Sequence, residues 1–178
     1  MRLRVDALGW SHQPKFGDSI AVDGCCLTVV GSSNGVIDFD VVPQTLDVTS
    51  LGGLGDRDRV NLEHAVTPTT LLGGHLVQGH VDVLGEVLSV CEGVEGYRCR
   101  IAIPASHASL LSPRGSITIA GVSLTIAELG DAWFEVALIP TTLSETTLGD
   151  LRAGCKANLE FDVIAKMVAA QLATSQVT

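Results

Sequence analysis

The sequence predicts an all-β protein built of two similar antiparallel units and one C-terminal α-helix. A fifty-residue stretch, 17–66, recurs without a gap at 114–163, 97 positions later, and sixteen of the fifty positions are identical. Short apolar segments alternate with turn signals at spacings of ~8–12 residues, which is typical of small barrels or sandwiches. Residues 163–173 carry apolar side chains at helical spacing among good helix formers.

The repeat divides the chain into three predicted parts. Residues 1–66 form the first unit, residues 67–163 the second unit, and residues 164–178 the C-terminal helix. A repeat of this length indicates a duplicated small domain, because solenoid units of ~20–50 residues stack in larger numbers. The helix is expected either at an oligomer contact or packed on its own barrel.

Composition excludes several classes of function. The formal net charge of −9 argues against a nucleic-acid partner, because phosphate binding needs clustered Lys and Arg. No apolar run reaches the ~18 residues of a membrane span, and the first ten residues lack the apolar core of a signal peptide. The five cysteines show no CxxC and no Cys/His metal spacing, so we expect reduced thiols, no metal and a cytoplasmic location.

Turn signals separate the predicted strands of the first unit. Asp23 with Gly24 and Asn34 with Gly35 are dipeptides preferred in two-residue hairpins, and Pro43 ends the strand after the second hairpin. Residues 44–50 are expected to form a helical turn or an irregular crossing, and residues 52–58 a loop. The predicted strands are 2–5, 18–22, 25–30, 36–42 and 59–65.

Residues 67–80 bridge the two copies. Strands are predicted at 81–90 and 97–103 around a turn at 92–96, followed by a candidate short helix at 105–111 and then by the second copy. Residues 73–96 have no counterpart before Gly17, while residues 1–5 match 97–101 one position out of the main register.

The first copy is therefore predicted to lack its first strand. An upstream start, a trimmed chain or a diverged, open first barrel would each explain this. An unpaired barrel edge is an aggregation liability, which favours a missing N-terminal piece.

Polar side chains recur at matching places in the two copies. If the turns are as predicted, Cys26 and Thr28 share one strand face, and so do Ser123 and Thr125. A pocket of hydroxyl and backbone groups suits a neutral heteroaromatic ligand, although duplication would also preserve purely structural residues. The candidates are Ser19, Cys26, Thr28, Gln44, Thr45 and Thr49 in the first copy, and Ser116, Ser123, Thr125, Thr141, Thr142 and Thr146 in the second.

Two histidines in the bridge are candidates for proton transfer. His75 and His80 are five residues apart, which is not the spacing of a helical metal pair. Each can act as an acid or base near neutral pH, but a lone histidine more often satisfies a hydrogen bond. Cys26 is a nucleophile only if it is activated, and an inert thiol is the default interpretation.

Five motifs together resemble the trimeric, two-barrel riboflavin synthases: DGCCLTV (23–29), GGHLVQGHVD (73–82), GVSLT (121–125), IPTTLSETTLG (139–149) and NLEFDVIAK (158–166). The likeness covers essentially the whole chain. It implies two six-stranded Greek-key barrels and a C-terminal helix that assembles a homotrimer. It also implies transfer of a four-carbon unit between two molecules of 6,7-dimethyl-8-ribityllumazine, giving riboflavin and 5-amino-6-(ribitylamino)uracil without metal or organic cofactor.

The resemblance implies one ligand site per barrel, between the N-terminal barrel of one subunit and the C-terminal barrel of its neighbour. Gly79, His80 and Val81 would reach the partner's ligand, and Asp162 would lie near the reacting centre. We expect His80 to transfer the proton, while Cys26, Ser123 and Thr125 orient the ligands or a nucleophilic water. The implied ligand residues are Ser19, Cys26, Leu27, Thr28, Asp40, Val41, Val42, Pro43, Gln44 and Thr45 in the first barrel, and Arg114, Ser123, Leu124, Thr125, Ala137, Leu138, Ile139, Pro140, Thr141 and Thr142 in the second.

The chain also departs from the family pattern. The family's N-terminal Met-Phe-Thr-Gly-Ile-Val segment has no counterpart, Gln44 stands for a usual Glu, Ala120 for Asp and Arg114 for Lys. The absent segment predicts poor turnover, so a non-catalytic lumazine- or flavin-binding paralogue is the alternative function. The family further implies an association with lumazine synthase.

Overall fold

The computed structural model describes residues 1–93 and 96–175, which fold mostly into antiparallel strands. The strands are β1 (Arg2–Asp6), β2 (Ser19–Val22), β3 (Cys25–Ser33), β4 (Val36–Asp40), β5 (Leu62–His64), β6 (Val83–Gly93), β7 (Gly96–Ala102), β8 (Ser116–Ile119), β9 (Val122–Leu129), β10 (Trp133–Leu138) and β11 (Lys156–Phe161). The α-helices are α1 (Pro43–Val48), α2 (Pro140–Glu145) and α3 (Val163–Ser175), and short 3-10 helices lie at Ser50–Gly53, Ala105–Leu110 and Thr147–Asp150.

The two units have corresponding topologies. Strands β6–β11 close into a barrel in the order β10-β7-β6-β11-β8-β9, and β1–β5 form a five-stranded sheet in the order β1-β4-β3-β2-β5. The mostly-β class, the closed six-stranded barrel and the C-terminal helix are thus confirmed. Arg2 pairs with Asp40 as Arg98 pairs with Ala137. This register confirms that the start of the chain matches 97–101 one residue out of the main repeat.

Local sequence explains most of the element boundaries. Asp23 and Gly24 have φ of 45° and 76°, and Asn34 and Gly35 have φ of 52° and 79°. Two successive left-handed residues are what a two-residue type I′ hairpin requires. The strand predicted at 36–42 ends at Asp40, because the chain turns there towards α1, which begins at Pro43.

Three other predictions are adjusted by the structure. The helical turn predicted within 44–50 is present as α1, with Thr49 between it and the following 3-10 helix. The loop predicted at 52–58 begins only after that 3-10 helix ends at Gly53, and the helix predicted at 105–111 is a 3-10 helix at Ala105–Leu110. The strand predicted at 59–65 shrinks to β5, which pairs on one side with β2, whereas its longer counterpart β11 pairs on both sides. The turn predicted at 92–96 and the helix predicted to reach 178 extend onto residues 94–95 and 176–178, outside the described residues.

Two asparagines, identical in the repeat, bind the units to each other. The Nδ2 of Asn61 donates to the carbonyl of Ala120 at 2.9 Å, and its Oδ1 accepts a backbone N–H from the 3-10 helix after α2 at 2.8 Å. Asn158 of the second unit makes the equivalent two bonds to the first unit. It donates to the carbonyl of Asp23 at 2.8 Å and accepts a backbone N–H from the 3-10 helix after α1 at 2.7 Å. We call this set the reciprocal asparagine clamp.

Replacing Asn158 by leucine should destabilise the protein strongly. Asn158→Leu keeps the branched shape but leaves a buried carbonyl and a partly buried N–H without partners, at an expected cost of about 2–4 kcal/mol in the free energy of unfolding. Denaturation in urea measures this cost. Asn61→Leu removes the same pair of bonds at a half-buried position and should cost less. Equal, small losses for both variants would contradict a stabilising role of the clamp.

Asp23 brings a buried carboxylate to this junction. Its Oδ1 accepts the backbone N–H of Asn61 at 2.8 Å, and the residue is only 7% exposed. Burial raises the pKa of Asp23 from 3.8 to about 6, against the lowering effect of that hydrogen bond. Because the folded pKa lies above the unfolded value, this group favours the fold most below pH 4 and loses its contribution as the pH rises through about 6.

Asp23→Asn should therefore stabilise the protein at alkaline pH. The amide keeps an acceptor for Asn61 and removes the charge, so we expect a gain on the order of 2–3 kcal/mol at pH 8 that vanishes near pH 4. Urea denaturation at several pH values tests this expectation. The exposed Asp47→Asn variant is the control and should not alter the curve. If the free energy of unfolding of Asp23→Asn changed with pH in the same way as that of the unsubstituted protein, the raised pKa of Asp23 would be contradicted.

Candidate functional site

Each unit carries one polar strand face. On β2 and β3, Ser19 pairs with Thr28 and Ala21 with Cys26. The side chains of Cys26 and Thr28 point outwards and are exposed, while Leu27 between them is 6% exposed and belongs to the core. The prediction that Cys26 and Thr28 share one face is confirmed. We call Ser19, Ala21, Cys26 and Thr28 together the first polar face.

The second polar face repeats this arrangement on the barrel. Ser116 pairs with Thr125 and Thr118 with Ser123 on β8 and β9. Ser123 and Thr125 are exposed, as predicted, and the intervening Leu124 is half-buried. Thr118 is 1% exposed and is the member of this face that the sequence did not single out.

A strand end and a proline-initiated helix follow each polar face. In the first unit Val41 is buried, Val42 is 59% exposed and Pro43 begins α1. In the second unit Leu138 and Ile139 repeat this alternation, with Ile139 62% exposed. The remaining predicted ligand residues of these segments are exposed or half-buried: Asp40, Gln44, Thr45, Ala137, Pro140, Thr141 and Thr142. Each unit thus offers one exposed apolar side chain at an equivalent position.

The bridging segment contacts both polar faces. The Nδ1 of His75 lies 2.8 Å from the Oγ of Ser123, and its Nε2 lies 3.0 Å from the Oγ1 of Thr118. Burial lowers the pKa of His75, against the opposite influence of the nearby carboxylates of Asp162 and Glu160. A lowered pKa favours the neutral ring, in which one nitrogen donates while the other accepts.

Further along the bridge, the backbone meets the first polar face. The carbonyl of Gly79 accepts the backbone N–H of Cys26 at 2.8 Å. Gly79 has φ of 78°, and a Cβ there would lie 2.7 Å from the Cβ of Cys26. Only glycine fits this position, because it combines a left-handed backbone with a close approach.

Glu160 holds the same backbone from the other side. Its Oε1 accepts the N–H of Gln78 at 2.7 Å, and its Oε2 accepts those of Gly79 and His80 at 2.9 and 3.1 Å. The residue is 2% exposed, and hydrogen bonds to a buried carboxylate are strong. We call this arrangement the Glu160 clamp. It leaves the side chain of His80 exposed at the end of a rigid backbone.

The other predicted residues lie around this frame. Val81 is half-buried and packs against the core of the first unit. Asp162 accepts the N–H of Ile164 at 2.9 Å and so begins α3. Arg114 is exposed, with φ of 62°, in the turn before β8.

Sequence reasoning missed the roles of Glu160 and Thr118. The signal for Glu160 was its identity with Glu63 in the repeat. Thr118 is the equivalent of Ala21 in the repeat, so a search for polar residues at matching positions does not find it.

A cleft of about 490 Å³ lies between the units, lined by residues such as Trp10, Asn61 and Val122. Thr146, one of the candidate polar residues, is among its lining residues, but none of the ligand residues implied by the family resemblance is. The polar faces are open surfaces, so a ligand there is covered only if another surface closes over it.

Three structural findings bear on chemistry. Across residues 1–93 and 96–175, no helix has the length and apolar character to cross a membrane. In the same part of the chain, no three His, Cys, Asp or Glu side chains come together as a metal site. All five cysteines lie in the described ranges and are free thiols.

Comparison with known proteins shows the family of the chain. A family model described as the lumazine binding domain matches residues 2–65 and 78–162. The chain is 49% identical to the riboflavin synthase of Mycobacterium tuberculosis over 85% of this chain and 78% of that protein. It is 41% identical to the riboflavin synthase of Bacillus subtilis over 85% of this chain and 70% of that protein.

Two solved structures are also similar. LumP complexed with 6,7-dimethyl-8-(1'-D-ribityl) lumazine superposes with a TM-score of 0.74 at 28% identity, covering 83% of this chain and 79% of that one. LumP complexed with riboflavin superposes with a TM-score of 0.75 at 31% identity, covering 83% and 80%.

Gly79→Ala should destabilise the bridge. A Cβ at this left-handed position collides with Cys26, so we expect a loss of about 1–3 kcal/mol in the free energy of unfolding. Chemical denaturation measures the loss, and hydrogen exchange should show the amides of 78–80 opening first. Gly53→Ala is the matched control, because nothing lies within 4 Å of a Cβ there. Equal effects of the two substitutions would contradict the tight packing of Gly79.

Proposed function

The chain belongs to the lumazine-binding family of riboflavin synthases, and we propose that it converts two molecules of 6,7-dimethyl-8-ribityllumazine into riboflavin and 5-amino-6-(ribitylamino)uracil. One observation carries this proposal: equivalent polar faces, with Cys26 and Thr28 on one and Ser123 and Thr125 on the other, occur once in each unit. A reaction that consumes two copies of one molecule suits two equivalent sites. Each face would hold one lumazine, together with residues 40–45 or 137–142.

The reaction needs a proton transfer and the close approach of two rings. One lumazine loses a proton from its C7 methyl group, and the resulting carbanion reacts with the second ring, which is attacked at C7. Holding two reactants in contact contributes ~7–11 kcal/mol towards the barrier. No organic cofactor or metal is required by this scheme.

His80 is the proposed proton-transfer group. Its exposed imidazole follows a backbone fixed by the Glu160 clamp, one residue beyond the contact between Gly79 and Cys26. Cys26, Ser123 and Thr125 would orient the ligands or a nucleophilic water, and Asp162 would lie near the reacting atoms. His75, bound between Ser123 and Thr118, would position the second face.

The proposed assembly is a homotrimer in which the first unit of one subunit faces the second unit of its neighbour. The open polar faces support this arrangement. None of the residues of α3 is buried in the chain, and Ile164, Met167, Val168 and Leu172 are 53–68% exposed. An ion pair of 2.9 Å between Lys166 and Asp82 holds the helix in place, with its apolar side chains free to contact another subunit.

The location and further partners are also proposals. Free thiols, two of them exposed, support a cytoplasmic location. An association with lumazine synthase would follow from the shared metabolite.

The proposed domains are a first barrel at 1–66, a second barrel at 67–163 and a trimerisation helix at 164–178. The equivalent pairings of β1 with β4 and of β7 with β10 support two barrels of one kind. In the first, the place of one strand between β1 and β5 is open in the described structure.

A lumazine-binding protein without catalysis is the second candidate. The similarity to the LumP complexes favours it. Mixing the purified protein with 6,7-dimethyl-8-ribityllumazine separates the two functions. Riboflavin absorbance that grows in proportion to protein supports the enzyme, while saturable binding with no product supports the binding protein.

His80→Ala should slow turnover far more than it weakens binding. Loss of a general acid or base typically costs ~10²–10⁴-fold in rate, whereas the ring contributes little to holding the ligand. Riboflavin formation gives the rate, and fluorescence titration with the lumazine gives the affinity. His12→Ala is a control, because His12 stacks on His64 and not on a polar face. Equal losses in rate and affinity would make His80 a positioning residue.

A further inference from the structure

Two carboxylates hold the end of the bridge against β11 from opposite sides. Glu160 on β11 accepts three backbone N–H groups of the bridge in the Glu160 clamp. Just after the bridge, the Oδ2 of Asp82 accepts the backbone N–H of Phe161 at 2.8 Å, and the N–H of Asp82 donates to the carbonyl of Leu159 at 2.8 Å. The backbone on both sides of the His80 side chain is therefore bound to β11.

Asp82 also forms an ion pair with the first turn of α3. The Nζ of Lys166 lies 3.1 Å from the Oδ1 and 2.9 Å from the Oδ2 of Asp82, so one ammonium group contacts both oxygens. The side chains of Asp82 and Lys166 are only 22% and 25% exposed. A partly buried, hydrogen-bonded ion pair is screened less by water and salt than one on the surface. The end of the bridge, β11 and α3 thus meet at one carboxylate.

Each partner of the ion pair lies close to a residue that is proposed to act in the reaction. His80 precedes Asp82 by two residues. Asp162 precedes Lys166 by one helical turn, and the backbone N–H of Lys166 donates to the carbonyl of Asp162 at 3.0 Å. The ion pair therefore connects the backbone that carries His80 to the helical turn that begins at Asp162.

The two connected segments lie against different polar faces. The carbonyl of Gly79 accepts the N–H of Cys26, which belongs to the first polar face. The carboxylate of Asp162 acts on the pKa of His75, and His75 is hydrogen-bonded to Ser123 of the second polar face. The ion pair consequently lies where the surroundings of the two faces are joined.

The position of the His80 ring depends on its backbone. The ring is exposed and forms no hydrogen bond or ion pair with any residue in the described part of the chain. The ring of His75, in contrast, lies between two hydroxyl groups. A misplacement of about 1 Å can cost ~10²-fold in rate, so the groups that hold this backbone bear directly on turnover.

We propose that Asp82 is a positioning residue, which sets the relative position of His80 and Asp162 through its ion pair with Lys166. This role rests on the proposed reaction, because that reaction assigns His80 and Asp162 to the reacting atoms. The pair acts through the backbone of the bridge and the first turn of α3, so its loss should affect the rate more than the affinity for the lumazine.

Substitutions that remove one charge test this role. Lys166→Met keeps the length of the side chain, and Asp82→Asn keeps an acceptor for the N–H of Phe161, so each removes mainly the ion pair. We expect riboflavin formation at saturating lumazine to fall about tenfold or more, while the affinity from fluorescence titration changes by less than about twofold. Lys166→Arg keeps the charge and should retain most of the rate. Lys156→Met, at an exposed position on β11, is the matched control and should leave rate and affinity unchanged.

A double substitution shows whether the two residues act as one unit. If they act through the ion pair, the double variant Asp82→Asn/Lys166→Met should be no slower than the slower single variant. A loss equal to the product of the two single losses would overturn the proposal. So would equal losses of rate and affinity, or equal rates for Lys166→Arg and Lys166→Met. All variants are compared at a temperature at which circular dichroism shows them folded.

Sedimentation separates this role from a role in subunit assembly. We expect Lys166→Met to sediment as the unsubstituted protein does. If its rate fell only because the assembly dissociated, the ion pair would act through a subunit contact, and the proposal would be overturned.

Nuclear magnetic resonance measures the surroundings of His80 without turnover. The Cε1–H signal of His80 is identified by its absence in His80→Ala. We expect Lys166→Met to shift this signal and Lys156→Met to leave it in place. An unchanged signal in Lys166→Met would contradict the proposal, whereas a shifted signal in a protein that forms no riboflavin would contradict only the proposed reaction.

Discussion

The geometry of the molecule depends on the reciprocal asparagine clamp. Asn61 and Asn158 each satisfy one carbonyl and one N–H of the opposite unit, and Asn158 does so while 2% exposed. Leaving any of these buried or partly buried groups unpaired would cost free energy. The backbones meet closely beside it, since a Cβ on Gly24 would lie 2.5 Å from the N of Gly121. The two units are therefore held in one two-fold-like relation, which also relates their polar faces.

Strand β11 connects the reciprocal asparagine clamp to the candidate site. Asn158 and Glu160 are two residues apart on β11, so their side chains lie on the same face. One contacts the first unit, and the other fixes the backbone at 78–80 against Cys26. A change in the angle between the units would therefore move His80 relative to the first polar face. Stability at the junction and positioning at the site are consequences of the same packing.

Much of this arrangement follows from local sequence. Alternation along β3 and β9 predicted which side chains share a face, and the Asp-Gly and Asn-Gly dipeptides predicted the hairpins. The one-residue offset of β1 was visible in the repeat. The Glu160 clamp was not, because a carboxylate that binds backbone N–H groups some eighty residues away leaves no periodic pattern. The roles of His75 and His80 also needed coordinates, since only the fold shows that one ring lies between two hydroxyls and the other is exposed.

Equivalence of the two faces also sets a requirement on the proposed reaction. In the proposed reaction, two identical molecules play different parts: one loses a proton and the other is attacked. The two faces must therefore differ at the positions that would contact the rings. Two matched positions differ between the faces. The first face has Cys26 and Ala21, and the second has Ser123 and Thr118 at the same positions. On the second face His75 bonds to both hydroxyls, whereas the first face meets the backbone of Gly79. The repeat thus supplies two faces with the same strand pairing, and the two matched positions that differ lie against different parts of the bridge.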